Sequence, residues 1–196
     1  MFSFSALKFV VKGFAIGIPA GITIIDLIGY VAKVEGSSMQ PLLNPDNSPA
    51  TASDYVFLHN WPIISNGYNE IERGEIIALI SPRDPKQRLI KRVIGVPGDI
   101  IETSGSTKKY VRVPQGHLWV EGDHRGRSYD STIFGPVALG LVKSKARAIV
   151  WPPYRWQLLQ PYMLPDRVPV NLQSKTISEV TEFLALTNVE TKPPIY

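Results

Sequence analysis

A serine pair and a lysine are the residues of this chain best suited to chemistry. Ser37 and Ser38 stand in Gly36-Ser37-Ser38-Met39-Gln40-Pro41, between a glycine and a proline that limits how the loop can move. Lys91 lies within Arg88-Leu89-Ile90-Lys91-Arg92-Val93-Ile94-Gly95-Val96-Pro97-Gly98-Asp99, an apolar strand pattern closing in a Pro-Gly-Asp turn. Strand alternation puts Leu89, Lys91 and Val93 on one face. Two readings of that face stay open. Either it meets solvent and Arg92 is the inward residue, or it is buried and Lys91 is a general base. In the second case burial lowers the amine pKa, and a move from about 10.4 to about 8 costs roughly 3 kcal/mol. The neutral amine would take the proton of Ser38 Oγ, the oxygen would attack a peptide carbonyl, and the lysinium would protonate the leaving amine. Water would complete deacylation. By itself the serine box reads as an ordinary turn.

Composition narrows the field. A chain of 196 residues has room for about one domain. With 44% apolar and 19% charged residues, 15 Gly and 17 Pro, it is neither a disordered tail, a coiled coil nor a helical bundle, and a turn-rich β domain remains. The absence of cysteine excludes disulfides, thiolate metal sites and cysteine nucleophiles. His59, His117 and His124 are too scattered for a metal site and read as surface or strand-end residues. A net charge of +4 suits nucleic acid, anionic lipid or an acidic partner and does not choose among them.

The elements that must position the serine and lysine are short. Candidate strands cover residues 54–59, 75–80, 88–96, 99–102, 109–113, 117–121 and 139–151, separated by Gly, Pro, Asn and Asp. The sheet is expected to end at Trp151, because Pro152 and Pro153 follow. Upstream, residues 13–31 carry one charge, Asp26, and as a helix would extend about 28 Å, close to the roughly 30 Å of a bilayer core. The reading is a short N-terminal segment over 1–12, a transmembrane anchor over 13–33, a β domain over 34–156 and a C-terminal extension over 157–196. Lys8 and Lys12 precede the anchor and would keep the N-terminus on the cytoplasm-like side. Residues 174–191 read as a peripheral amphipathic helix or a disordered tail with no chemistry of its own.

Four boxes together carry a resemblance. Ser38-Met39-x-Pro41, Arg73-Gly74-Glu75-Ile76-Ile77, the Lys91 to Asp99 run, and Gly122-Asp123-x-x-x-x-Ser128-x-Asp130-Ser131 stand in the order and approximate spacing of the type I signal peptidases. The similarity spans residues 36–137. The run Gly116-His117-Leu118-Trp119-Val120-Glu121-Gly122-Asp123-His124 and the later Trp151-Pro152-Pro153-Tyr154-Arg155-Trp156 resemble the mitochondrial members more than the bacterial ones. The resemblance implies a mainly β, signal-peptidase-like antiparallel domain with one N-terminal transmembrane helix, Ser38 as nucleophile and Lys91 as general base. It further implies that Ser128 orients the lysine and that Asp130 braces its loop. The serine's own N–H is one oxyanion donor in this family, and many bacterial members add a hydroxyl two residues earlier. Gly36 stands there, so either Ser37, an N–H or a relocated group compensates, or turnover is slow. Thr132 replaces the arginine usual after the acid, with Arg92 as a possible substitute partner for Asp130, and His124 replaces the usual asparagine. Met39, Ile90 and Val93 are pocket material for small substrate residues, or ordinary core.

The implied activity is removal of sorting presequences from proteins delivered to the mitochondrial intermembrane space. It needs no cofactor or metal. The implied setting is the mitochondrial inner membrane with the catalytic domain in that space. The implied partners are a homologous peptidase subunit in a heterodimer, the precursors and the lipid bilayer, with no nucleic acid. Three alternatives stay open. One is a mainly structural subunit that stabilises a catalytic partner. Another is a self-cleaving serine/lysine regulator, which would need a DNA-binding helical domain. The third is a scaffold or nucleic-acid binder using Lys86, Arg88, Lys91, Arg92, Lys108, Lys109 and Arg112, a run without interleaved aromatics.

Overall fold

The computed structural model describes residues 4–46, 53–103 and 110–170. In chain order its elements are α1 (Phe4–Ile28), β1 (Gly29–Lys33), β2 (Tyr55–His59), α2 (Trp61–Asn66), β3 (Ile76–Ile80), β4 (Arg88–Gly95), β5 (Ile100–Glu102) and β6 (Tyr110–Arg112). They continue with β7 (His117–Glu121), α3 (Ser131–Phe134), β8 (Val137–Ala138), β9 (Val142–Trp151) and β10 (Gln157–Leu158). The expected antiparallel β class is what forms. One sheet runs β1-β2-β9-β3-β4-β7-β8 with β10 paired to β9, and β5 and β6 make a separate ribbon.

The middle of the sheet is buried on both sides. Along β3, Ile76 and Ala78 join a cluster with Met39, Val56 and Ile149, while Ile77 and Leu79 join one with Val93, Val120 and Val142. A continuous apolar run, here Ile-Ile-Ala-Leu-Ile, is the pattern of such a doubly covered strand. Strand β4 lies beside it, with Lys91 directly opposite Ile77. Its closing turn is fixed by Asp99, which accepts the Val96 N–H and takes Arg73 in a two-pronged ion pair at 2.7 Å.

Three expectations are corrected. The anchor over 13–33 does not run through as one helix. Its last five residues form β1, paired to β2 from Gly29 opposite His59 to Lys33 opposite Tyr55. Helix α1 ends at Ile28. Among the described residues no helix is long and apolar enough to cross a membrane. Gly29 makes the switch from helix to strand, with φ at 145° and a Cβ position that would fall 2.1 Å from the Leu58 carbonyl oxygen. Second, the sheet does not end at Trp151, because Gln157 and Leu158 return to pair with Ile149 and Ala148. Third, residues 139–141 form a short helical turn before β9 begins. The expected helix or tail at 174–191 lies outside the described residues.

Candidate active site

Lys91 is the inward cation of β4, and the sheet explains why. It sits in the centre of the strand, between the ladders to β3 and β7, and is 3% exposed. Arg92 is 2% exposed, so the reading that gave one of the two to solvent is overturned: both are buried, on opposite faces. Lys91 Nζ lies 2.6 Å from Ser38 Oγ. Burial pushes the Lys91 pKa down, and the Asp130 and Asp123 carboxylates oppose that shift without cancelling it. A buried amine with a lowered pKa beside a hydroxyl is the arrangement a base-activated serine requires.

The loop carrying Ser38 is fixed at both ends by groups far along the chain. Asn44, at φ 51°, donates from Nδ2 to the carbonyls of Val34 and Gly36 at 2.9 and 3.2 Å. Asp54 accepts the Asn44 N–H at 2.8 Å and is gripped by Arg155 through two bonds of 2.8 and 3.0 Å. Arg155 also donates to the Leu42 carbonyl at 2.7 Å. Met39 locks the loop from below as a buried member of the first core cluster. The Ser38 carbonyl accepts the His124 N–H at 3.1 Å, and the Ser38 N–H has no protein acceptor among the described residues. That N–H is therefore available to an oxyanion. Gly36 is exposed at φ 84° and supplies a carbonyl to Asn44, while Ser37 supplies a carbonyl to the Gln40 N–H.

The second wall is the turn between β7 and α3. Asp130 caps α3: one carboxylate oxygen accepts the Thr132 N–H and hydroxyl at 3.1 and 2.7 Å. The other accepts the Gly122 N–H at 2.8 Å and the Ser128 hydroxyl. The partner of Asp130 is thus Thr132, not Arg92. Arg92 instead forms a two-pronged pair with Asp123 at 2.8 and 2.7 Å, both side chains buried. Ser128 Oγ bonds Asp130 and Gly122, and the hydrogen bond of Lys91 is to Ser38. Gly122 brings the two walls together. A Cβ there would stand 2.3 Å from both the Ser38 carbonyl oxygen and Ser128 Oγ.

Asp130→Ala would leave the Ser128 hydroxyl and the α3 N-terminus without their acceptor and the buried Gly122 amide with Ser128 Oγ alone. At about 1–3 kcal/mol per unsatisfied buried group, the expected loss is roughly 2–4 kcal/mol of stability, read as a lower thermal midpoint.

The remaining expected residues divide. Met39 and Val93 are fully buried in different clusters, and Ile90, half-buried, packs against the cluster of Met39. His124 sits at the site through its backbone. His59 and His117 are elsewhere, and no His, Asp and Glu group among the described residues could hold a metal ion. The basic run is not a surface stripe, because Lys91 and Arg92 are interior; Lys108 and Lys109 lie outside the described residues. Sequence reasoning missed Asn44, Asp54, Arg155 and Arg167. Arg167 donates to the Gly122 and Asp123 carbonyls at 2.5 and 3.1 Å. Partners separated by up to 113 positions leave no local pattern, although Asp54 opens a candidate strand and Arg155 stands in the Trp151 to Trp156 run.

The chain is similar to known proteins along most of its length. A family model described as signal peptidase, peptidase S26, matches residues 7–107 and 102–151. The mitochondrial inner membrane protease subunit 2 of Danio rerio is 50% identical over 163 residues, covering 83% of this chain and 86% of that protein. Subunit 2 of Saccharomyces cerevisiae is 42% identical over 140 residues, covering 71% and 77%. Subunit 1 of the human protease is 38% identical over 130 residues, covering 65% of this chain and 72% of that one.

Proposed function

This chain belongs to the signal peptidase family, peptidase S26, and we propose that it is a serine endopeptidase subunit with Ser38 as nucleophile and Lys91 as general base. The observation that carries the reading is the 2.6 Å approach of a buried lysine to a serine hydroxyl. Lys91 in its neutral form accepts the Ser38 proton as Oγ attacks the substrate carbonyl. The oxyanion meets the Ser38 N–H, and in this reading the second donor is an N–H or hydroxyl of Gly36-Ser37. The Lys91 ammonium gives its proton to the departing amine, leaving the acyl group on Ser38. Lys91 next takes a proton from water, whose oxygen attacks the ester, and returns that proton to Ser38 Oγ as the new C-terminus leaves.

The substrates in this reading are precursors bearing sorting presequences bound for the mitochondrial intermembrane space, and the β domain faces that space. The relatives' names support the inner membrane as the setting and a homologous peptidase subunit as the partner. Val11, Phe14, Ile16, Ile18 and Ile22 of α1 are each more than half exposed, which fits contact of that helix with lipid.

Ser38→Ala in the detergent-solubilised two-subunit complex, assayed on a panel of such precursors at matched subunit levels, should lower processing of one subset by about 10⁴-fold or more. Unchanged processing of every precursor would move catalysis to the partner and leave this chain a structural subunit.

A further inference from the structure

We propose that the segment Pro153 to Arg167 is a positioning strap for the dyad, with Arg167 its principal positioning residue; the inference rests on the Ser38 and Lys91 reading above. Each anchor of this segment lands on a different piece of the site. Arg155 grips Asp54 and the Leu42 carbonyl on the serine loop, at 2.8 and 2.7 Å. The Tyr162 N–H donates to the Gly74 carbonyl at 3.2 Å, and the Tyr162 carbonyl accepts from Arg92, the residue after the general base, at 3.1 Å. Arg167 then closes on the Gly122 and Asp123 carbonyls and stands 3.3 Å from the Glu121 carboxylate.

Arg167 is the anchor with the most direct line to the reacting atoms. Its side chain is 4% exposed, and its two terminal nitrogens find acceptors, while its buried Nε–H has none among the described residues. Two carbonyls and a carboxylate arranged around one planar fork suit arginine and not the point charge of lysine. The residue it holds, Gly122, presses its Cα side against the Ser38 carbonyl and offers its N–H to Ser128 and Asp130. A shift of Gly122 therefore shifts Ser38 relative to Lys91. Glu121 completes the grip: its carboxyl accepts the Trp119 indole N–H at 2.8 Å, so the far side of the fork is anchored in the core.

The test uses the full two-subunit complex and a precursor whose cleavage is abolished by Lys91→Ala. Arg167→Lys keeps the charge and loses the fork; Arg167→Met loses both. For both variants we expect kcat per folded complex to fall about 10- to 100-fold while KM stays within about twofold, since a displacement near 1 Å is enough for that loss. Arg167→Lys should lower the melting midpoint less than Arg167→Met, and normalising kcat to folded complex separates positioning from folding. Wild-type kcat per folded complex in both variants, or a loss of activity that only tracks the loss of folded protein, overturns the strap. Cleavage retained by Lys91→Ala on every precursor would instead overturn the dyad reading and the strap with it.

Discussion

Lys91→Met is expected to abolish cleavage while making the folded chain more stable. The activity loss is that of a general base, about 10²- to 10⁴-fold, and Lys91→Arg should be equally inactive because a guanidinium stays protonated at every working pH. The stability gain follows from the same burial. Lys91 is 3% exposed and its folded pKa is lowered by desolvation. Between the lowered folded value and the unfolded value near 10.4 the unfolded chain binds the additional proton, so this group's contribution to stability rises with pH. Below that window the folded state carries the full penalty of a buried ammonium, and methionine, of similar shape, removes it. The increase in thermal midpoint should therefore be largest at acid pH and shrink as pH rises through the folded pKa. Activity has the matching sign: kcat/KM of the wild type should climb with pH along a limb lying below the ordinary lysine value.

The second large effect is expected at Gly122. Alanine would place a methyl carbon 2.3 Å from the Ser38 carbonyl oxygen and from Ser128 Oγ. One is backbone held by the His124 N–H, the other a hydroxyl committed to Asp130, so neither can yield cheaply. Separation of the two walls should cost at least about 10²-fold in kcat and lower stability by an overpacking penalty of roughly 1–3 kcal/mol. Steady-state cleavage together with a thermal melt reads both.

The sequence carried the chemistry further than the architecture. Ser38 and Lys91 could be singled out because each breaks its local pattern: a serine in a Gly/Pro-limited loop and a cation within an apolar strand. The six strands from β2 to β7 were legible from period and turn residues. The N-terminal segment was misread because hydropathy alone is blind to pairing. Gly29–Lys33 is apolar enough to prolong a helix, yet the ladder to β2 claims it for the sheet. β10 was missed because two residues after a Pro-Pro break have no period to detect. Arg92 and Arg167 show the remaining limit. Strand alternation allows Arg92 to face inward but names no partner, Arg167 lies in no periodic run, and only the fold reveals the buried carbonyls and carboxylates that hold them.

The most direct measurement is covalent labelling of the purified two-subunit complex with a peptide fluorophosphonate that ends in a small residue at its reactive end. An activated serine displaces fluoride and forms an Oγ–phosphorus bond, which peptide mass mapping locates. The account predicts a label on Ser38 of this chain, lost in Lys91→Ala and growing faster as pH rises. Labelling of the partner alone, with Ser38 unmodified at every pH, would contradict it.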